Sequence, residues 1–297
     1  MTTLREEARR KKEEGKLGFL SSIFLLPSSL LIIVLTMTLL APAHAAPSPP
    51  TDVTGATYVE FDESTGIWVL RGNPVAVSRG ATTVRATSIT YDSRQQIVRA
   101  SGAVNYTDPS STLASAEATF WLQEERLLAA GGVSGMFREG GQETHLRSQS
   151  VEAWRKDRRA VAVGDVQIRR GEFALTGNRV EYLEVEHKAT ATGRSTVTTP
   201  EGQLSADRIE ALLDREEGVA EGNVEISMRP RGDPAGQPIE GRAPKATLRR
   251  SDGIAILSGG ATVRQGQNTA TAQEITVDLR RNRIVATGQA HLVLYPR

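Results

Sequence analysis

Carboxylates, imidazoles and thiols are the side chains that could carry chemistry here, and their placement decides little in favour of it. Asp92, Glu124, Asp214 and Asp278 lie in short polar segments at equivalent points of successive apolar-alternating stretches. Stacked in a row, such residues could supply the carboxylate pair of a glycosidase, one as acid and one as base or nucleophile. Asp and Glu are also ordinary turn formers, and turn duty is the expectation. The four histidines, His44, His145, His187 and His291, show no zinc-ligand spacing. With no Cys, the chain has neither disulfides nor thiol chemistry. No nucleophile elbow, phosphate loop or Ser/His/Asp pattern is present. Gly131-Gly132 and Gly259-Gly260 follow apolar stretches, but no helical pattern follows them to hold a phosphate. The expectation is a protein that is not an enzyme and takes no metal or cofactor. A net charge of +1 gives no basic field for nucleic acid.

The elements that position these residues are repeats. A small or apolar residue, a Gly and a small or β-branched residue recur at alternate positions: Ala100-Gly102-Val104, Ala129-Gly131-Val133, Ala162-Gly164-Val166, Ala191-Gly193-Ser195, Ala220-Gly222-Val224, Leu257-Gly259-Ala261 and Ala286-Gly288-Ala290. A looser first copy, Leu70-Gly72-Val75, has one extra residue. The glycines are 30, 29, 33, 29, 29, 37 and 29 residues apart, a period that marks one supersecondary unit stacked eight times. Each unit alternates with period two, breaks at a polar turn and alternates again, so it reads as strand, turn, strand. Eight units predict about sixteen antiparallel strands.

Two explanations of the glycine stand side by side: a bulge or bend that tolerates a left-handed backbone, or close approach of another chain segment or ligand. Small residues beside it suggest a narrow zone, and larger apolar residues further along each strand a wider one, as in a wedge made by a folded sheet. Residues 229–244, rich in Pro and Gly, and the polar Arg138–Glu143 segment read as loops within the longer spacings. Three tryptophans, Trp68, Trp121 and Trp154, lie in the early repeats.

The first 45 residues differ. Six basic and four acidic residues precede position 17, and no Lys, Arg, Asp or Glu occurs from Leu17 to Thr51. Ala43-His44-Ala45 gives a small-residue cleavage pattern. Residues 1–45 are expected to be a secretory signal peptide or, if uncleaved, an N-terminal membrane anchor. Residues 46–54 follow as a Pro-rich linker, and 55–297 as a single β-repeat domain. Either way the β region is expected to leave the cytoplasm, free after cleavage near Ala45 or held at a membrane by the uncleaved segment.

Ala86 to Tyr106, Ala206 to Ile226 and Ala272 to Leu292 share an Ala-led strand with a β-branched residue, a polar turn and the Gly signature. In these units the chain resembles the OstA-like family, which includes LptA, LptC and the periplasmic domain of LptD. The resemblance implies an all-β, elongated, open β-jellyroll (a β-taco) whose apolar groove holds lipopolysaccharide or another acylated envelope lipid. It also implies partners of the same family joined by edge-strand pairing, including head-to-tail copies of this chain. Expected groove residues are Ile89, Tyr91, Val104, Tyr106, Phe120, Val133, Phe137, Val166, Ile168, Ile209, Val224, Ile226, Val263, Ile275, Val277, Leu292 and Leu294; plain core packing explains each of them equally well. Tyr58–Phe61 and Ala290–Leu294 are the expected joining edges. The competing reading is a structural or adhesive β-solenoid with a dry core that binds glycans or proteins outside, which outward aromatic rows would favour.

Overall fold

The computed structural model describes residues 50–139, 141–200, 202–228, 237–249, 251–278, 281 and 283–295. The expected signal or anchor segment lies outside them. Among the described residues no helix is long and apolar enough to cross a membrane.

Seventeen strands follow one another. They are β1 (Thr51–Asp62), β2 (Ile67–Arg79), β3 (Thr82–Asp92), β4 (Ile97–Thr107), β5 (Ser111–Trp121), β6 (Arg126–Glu139), β7 (Gln142–Trp154), β8 (Arg159–Arg170) and β9 (Phe173–Leu183). The rest are β10 (Lys188–Thr199), β11 (Gly202–Leu212), β12 (Glu217–Met228), β13 (Ile239–Arg249), β14 (Ile254–Gln265), β15 (Asn268–Asp278), β16 (Arg283–Thr287) and β17 (His291–Val293). The eight strand-turn-strand repeats are present. The count exceeds sixteen because the chain breaks after Thr287, and the two pieces β16 and β17 both pair with β15.

Three sequence expectations shift. Residues 51–54 are not linker but the start of β1. Arg138–Glu143 is no loop, since Arg138 pairs with Glu143 and Glu139 with Gln142 in a tight hairpin; the longer spacing is taken up by longer strands. The Pro-rich loop ends before Ile239, so Pro244 lies inside β13. It occupies the bend, where the ladder to β12 skips from Glu221–Lys245 to Val224–Ala243, a position where a missing N–H costs nothing.

The described residues form two compact units. The N-terminal unit holds residues up to 171 together with 179–185, and the C-terminal unit holds 172–178 and residues from 186 onward.

In the N-terminal unit β1 to β8 form an antiparallel meander, each strand paired with the next. From β3 to β8 every ladder slips by one residue at the glycine, and the β2–β3 ladder slips by two at Gly72. On β4, Gly102, Ala103 and Val104 fall between the pairs Ser101–Ser88 and Asn105–Arg85, against two residues on β3. Gly102 and Ala103 both have positive φ, 79° and 51°. Two left-handed residues with one extra residue make a bulge that bends the strand. Ala100 and Val104 are buried while Gly102 between them is exposed, so the glycine sits on the outside of the bend. The second explanation holds as well: a Cβ on Gly102 would lie 2.6 Å from Thr87 Oγ1 on β3. Bulge and close approach are one feature.

The bend folds the meander over itself into two arms. Leu70 and Val75, or Ala100 and Val104, flank a bend on one strand, yet belong to one buried cluster. Polar groups released at the bend are met locally, with Ser115 and Ser148 hydroxyls donating to the carbonyls of Glu117 and Ser150. The turns opposite the bends stack in a column: Leu122 N–H donates to Gln96 O and Arg155 N–H to Glu125 O. Asp62 and Asp92 accept their own turn amides through Oδ1, the turn role expected of these carboxylates.

The C-terminal unit repeats the plan from β10 to β17. Its interior is packed with Leu204, Ile226, Leu248, Leu257 and Ile275, each at most 3% exposed. Burying each such side chain is worth about 1.5–3 kcal/mol.

Candidate functional site

Three rows of cross-strand neighbours face one another inside the N-terminal unit. The row nearest the bend runs Val59, Leu70, Ile89, Ala100, Ala118, Ala129, and its small residues at the end away from β1 let the arms close. The next row on the same arm runs Phe61, Trp68, Tyr91, Val98, Phe120, Leu127, where larger side chains hold the arms apart. Opposite, beyond the bend, runs Val53, Val77, Val84, Tyr106, Leu113. Between these walls lies a cavity of about 910 Å³. The wedge expected from small and large positions along each strand is the shape observed.

Chemically the cavity is a hydrocarbon slot with a polar rim. Arg79 and Ser111 lie at its edge. Tyr106, which lines it, donates its hydroxyl to Asp108 Oδ2 at 2.8 Å. The Asp108 carboxylate also accepts the Ser110 and Ser111 amides at 2.7 and 2.9 Å, as well as the Ser111 hydroxyl. Burial pushes its pKa up, but the hydrogen bonds from Ser111, Ser110 and Tyr106 together outweigh burial and hold it below the ordinary value. The Asp108 carboxylate therefore stays ionised at neutral pH and fixes the Tyr106 hydroxyl.

One end of the slot is open. β1 is exposed along nearly its whole length, because β2 is its ladder partner and its other edge meets no strand of the unit. Val59, Phe61 and Trp68 are 56, 47 and 38% exposed there. Large apolar side chains lining a mouth rather than a closed core are the mark of a binding surface.

Of the residues singled out from the sequence, Ile89, Tyr91, Val104, Tyr106, Phe120 and Phe137 line this cavity. Val133, Val166 and Ile168 are buried in the same unit, outside the cavity lining. Ile209, Val224, Ile226, Val263, Ile275 and Val277 are buried in the C-terminal unit, 5% exposed or less. Leu292 and Leu294 are not enclosed: they are 59 and 64% exposed, and among the described residues β17 pairs with β15 alone. Of the lining residues that the sequence reading passed over, Val77, Val84 and Leu113 sit beyond the bend and Val53 on β1, whereas Leu70, Val98 and Leu127 sit on the near arm. Their signal was in the register: each is opposite a lining residue already recognised or opposite one another.

The outer face has its own row near the turns, Trp121, Arg126, Trp154, Arg159, each opposite the next. Arg126 stacks 4.3 Å from the Trp121 ring centroid and Arg159 4.7 Å from that of Trp154. Arg126 is also hydrogen-bonded to Glu152 at 2.6 Å and Arg159 to Glu181 at 2.7 Å. This aromatic row is thus interleaved with cations and satisfied by its own carboxylates. Among the described residues no group of three or more His, Asp or Glu is arranged to hold a metal.

Residues 145–283 match the family model described as LptA/(LptD N-terminal domain) LPS transport protein. The resemblance to OstA-like proteins is borne out by this match, and the cavity lies in the repeats that precede it. Among solved structures, LptH, described as the LptA homologous periplasmic component of the conserved lipopolysaccharide transport device from Pseudomonas aeruginosa, is 18% identical. That likeness covers 52% of this chain and 95% of LptH, with a TM-score of 0.28. No curated protein matches the chain.

Proposed function

We propose that this chain, whose later repeats match a family of LPS transport proteins, carries lipopolysaccharide or a related acylated envelope lipid in the periplasm. The acyl chains occupy the cavity between the two arms of the N-terminal unit, and the head group stays at its polar rim. The observation that carries this reading is the open, apolar 910 Å³ slot. A methylene takes about the volume share of a water, near 30 Å³, so the slot has room for one or two acyl chains. Burying about a dozen methylenes gains roughly 10 kcal/mol before ordering costs. No catalytic group is needed, and the reading assigns no reaction.

The exposed edge of β1 and the β16–β17 end are suited to strand addition. They are the proposed joints to other OstA-like proteins or to further copies of this chain, so that cargo passes between the membranes along joined repeats.

The test is native mass spectrometry with lipid extraction on protein purified from the envelope without detergent. A co-purifying acyl lipid, lost when Val77 and Val98 are replaced by Glu, is expected. A lipid-free protein that also fails to take up added lipopolysaccharide or phospholipid would return the chain to the dry-core reading.

A further inference from the structure

The outer face of the arm beyond the bend, in the same unit, carries a second cleft. Two cross-strand rows lie side by side there. Asn105, Ala114, Ser134, Arg147 and Gln167 are opposite one another in turn across β4 to β8. Thr107, Thr112, Met136, His145 and Arg169 form the neighbouring row. Small residues in the middle and long ones at one side leave a depression of about 550 Å³, within the range of small-ligand sites.

Arg147 and Gln167 are a direct pair, as are His145 and Arg169. Arg147 and Arg169 are therefore diagonal neighbours on one face, about 7–8 Å apart at the backbone. Both are exposed, and among the described residues neither guanidinium has an ion pair or hydrogen bond. Three other arginines of this unit are compensated, Arg126 by Glu152, Arg138 by Glu143 and Arg159 by Glu181; what sets Arg147 and Arg169 apart is that they share one cleft. The carboxylate closest in register, Glu143, already pairs with Arg138 at 2.9 Å and faces His145 at 3.8 Å. Two uncompensated cations on one sheet face oppose each other, and an oxyanion between them relieves that repulsion with the planar fork that guanidinium offers. The remaining walls, from Asn105, Thr107, Thr112, Ser134 and Gln167, present amides and hydroxyls suited to the hydroxyls of a sugar.

We propose that this cleft binds an anionic saccharide, a hydroxyl-rich sugar bearing a phosphate or a carboxylate. Arg147 and Arg169 hold the anion, and the polar floor holds the ring. The site lies on the other face of the same strands from the lipid slot: Asn105, Thr107, Thr112 and Ala114 line only the cleft, while Tyr106 and Leu113 between them border both.

The experiment is calorimetric titration of the full chain with glucose 1-phosphate, galacturonic acid, glucose and inorganic phosphate. Saturable binding of at least one charged sugar is expected, with none by glucose; which charged sugar binds separates phosphate from carboxylate. Arg147→Gln and Arg169→Gln should each weaken binding at least ten-fold. Arg99→Gln, an exposed arginine on the other arm, should leave it unchanged, and all three variants should melt like the parent. Absence of binding by both charged sugars overturns the proposal. So does equal weakening in Arg99→Gln. Inorganic phosphate binding as tightly as glucose 1-phosphate overturns the saccharide assignment and leaves a bare anion site.

Discussion

Phe61 and Trp68 stack across the first ladder, ring centroids 4.4 Å apart and planes 24° from parallel. The pair stands at the open end of the cavity, where both rings remain partly in water. Trp68 lines the slot, whereas Trp121 and Trp154 face outward beneath arginines. In a Trp121→Phe/Trp154→Phe background, Trp68 becomes the sole fluorophore. Its emission is expected to shift to the blue on addition of lipopolysaccharide, as acyl chains displace water from the mouth. An unchanged spectrum at saturating lipid would place the cargo elsewhere.

The bend makes a separate prediction about stability. Gly131 and Gly132 both have positive φ, 80° and 87°, but a Cβ on Gly131 would lie 2.6 Å from Ala116 Cβ, while one on Gly132 meets nothing within 4 Å. Gly132→Ala should cost only the left-handed backbone penalty, about 1–2 kcal/mol. Gly131→Ala should cost clearly more, because strand β5 must also move. Gly132→Asn should be milder than either, since Asn tolerates this conformation, as Asn223 does at the matching place in a later repeat. Denaturant midpoints of the three variants give the order, and equal losses at 131 and 132 would contradict the close-approach account.

Asp108 gives the pH dependence. Its folded pKa lies below the ordinary 3.8, so the contribution of the carboxylate is present above that value and fades as pH falls through the folded pKa. Asp108→Asn is expected to destabilise the protein by about 1–3 kcal/mol at pH 7. The difference between variant and parent should shrink below about pH 4. Melting curves across this range check it; a difference independent of pH would mean that shape rather than charge holds the rim.

Arg126 bridges Trp121, Trp154 and Glu152 on the outer face. Arg126→Ala should lower stability by about 1–2 kcal/mol through lost stacking and one charge-assisted hydrogen bond. Lipid uptake should be unchanged, because the row lies on the opposite face from the slot. Reduced uptake at unchanged stability would give the row a binding role.

The repeat was legible because the bend demands left-handed residues once per unit. Glycine marks that place from Gly102 to Gly288, and the spacing alone yields eight units. Beyond the bend, the inward face was legible on the strands that carry the glycine motif, as at Tyr106 and Phe137, and not on their partners. Gly102 is in phase with Ala100 and Val104, yet it is exposed while they are buried, because two left-handed residues in succession turn the chain. Val84 and Leu113 lie near the starts of β3 and β5, which lack the motif, and escaped notice, while Ile89 and Phe120 nearer the turns of the same strands did not. The enclosed slot was not legible either. Val104 in one unit and Val224 in the other stand at the same point of the same motif and are both 1% exposed, and only Val104 lines the cavity. What separates them is the packing of neighbouring arms, which no single repeat encodes.

The most direct test of the account is site-specific photocrosslinking at Phe120 and at Thr119 in cells that make lipopolysaccharide. The two residues adjoin on β5, and Phe120 lines the slot while Thr119 does not. The account predicts a lipid adduct at Phe120 and none at Thr119. Equal labelling at both, or labelling at Thr119 alone, would contradict it.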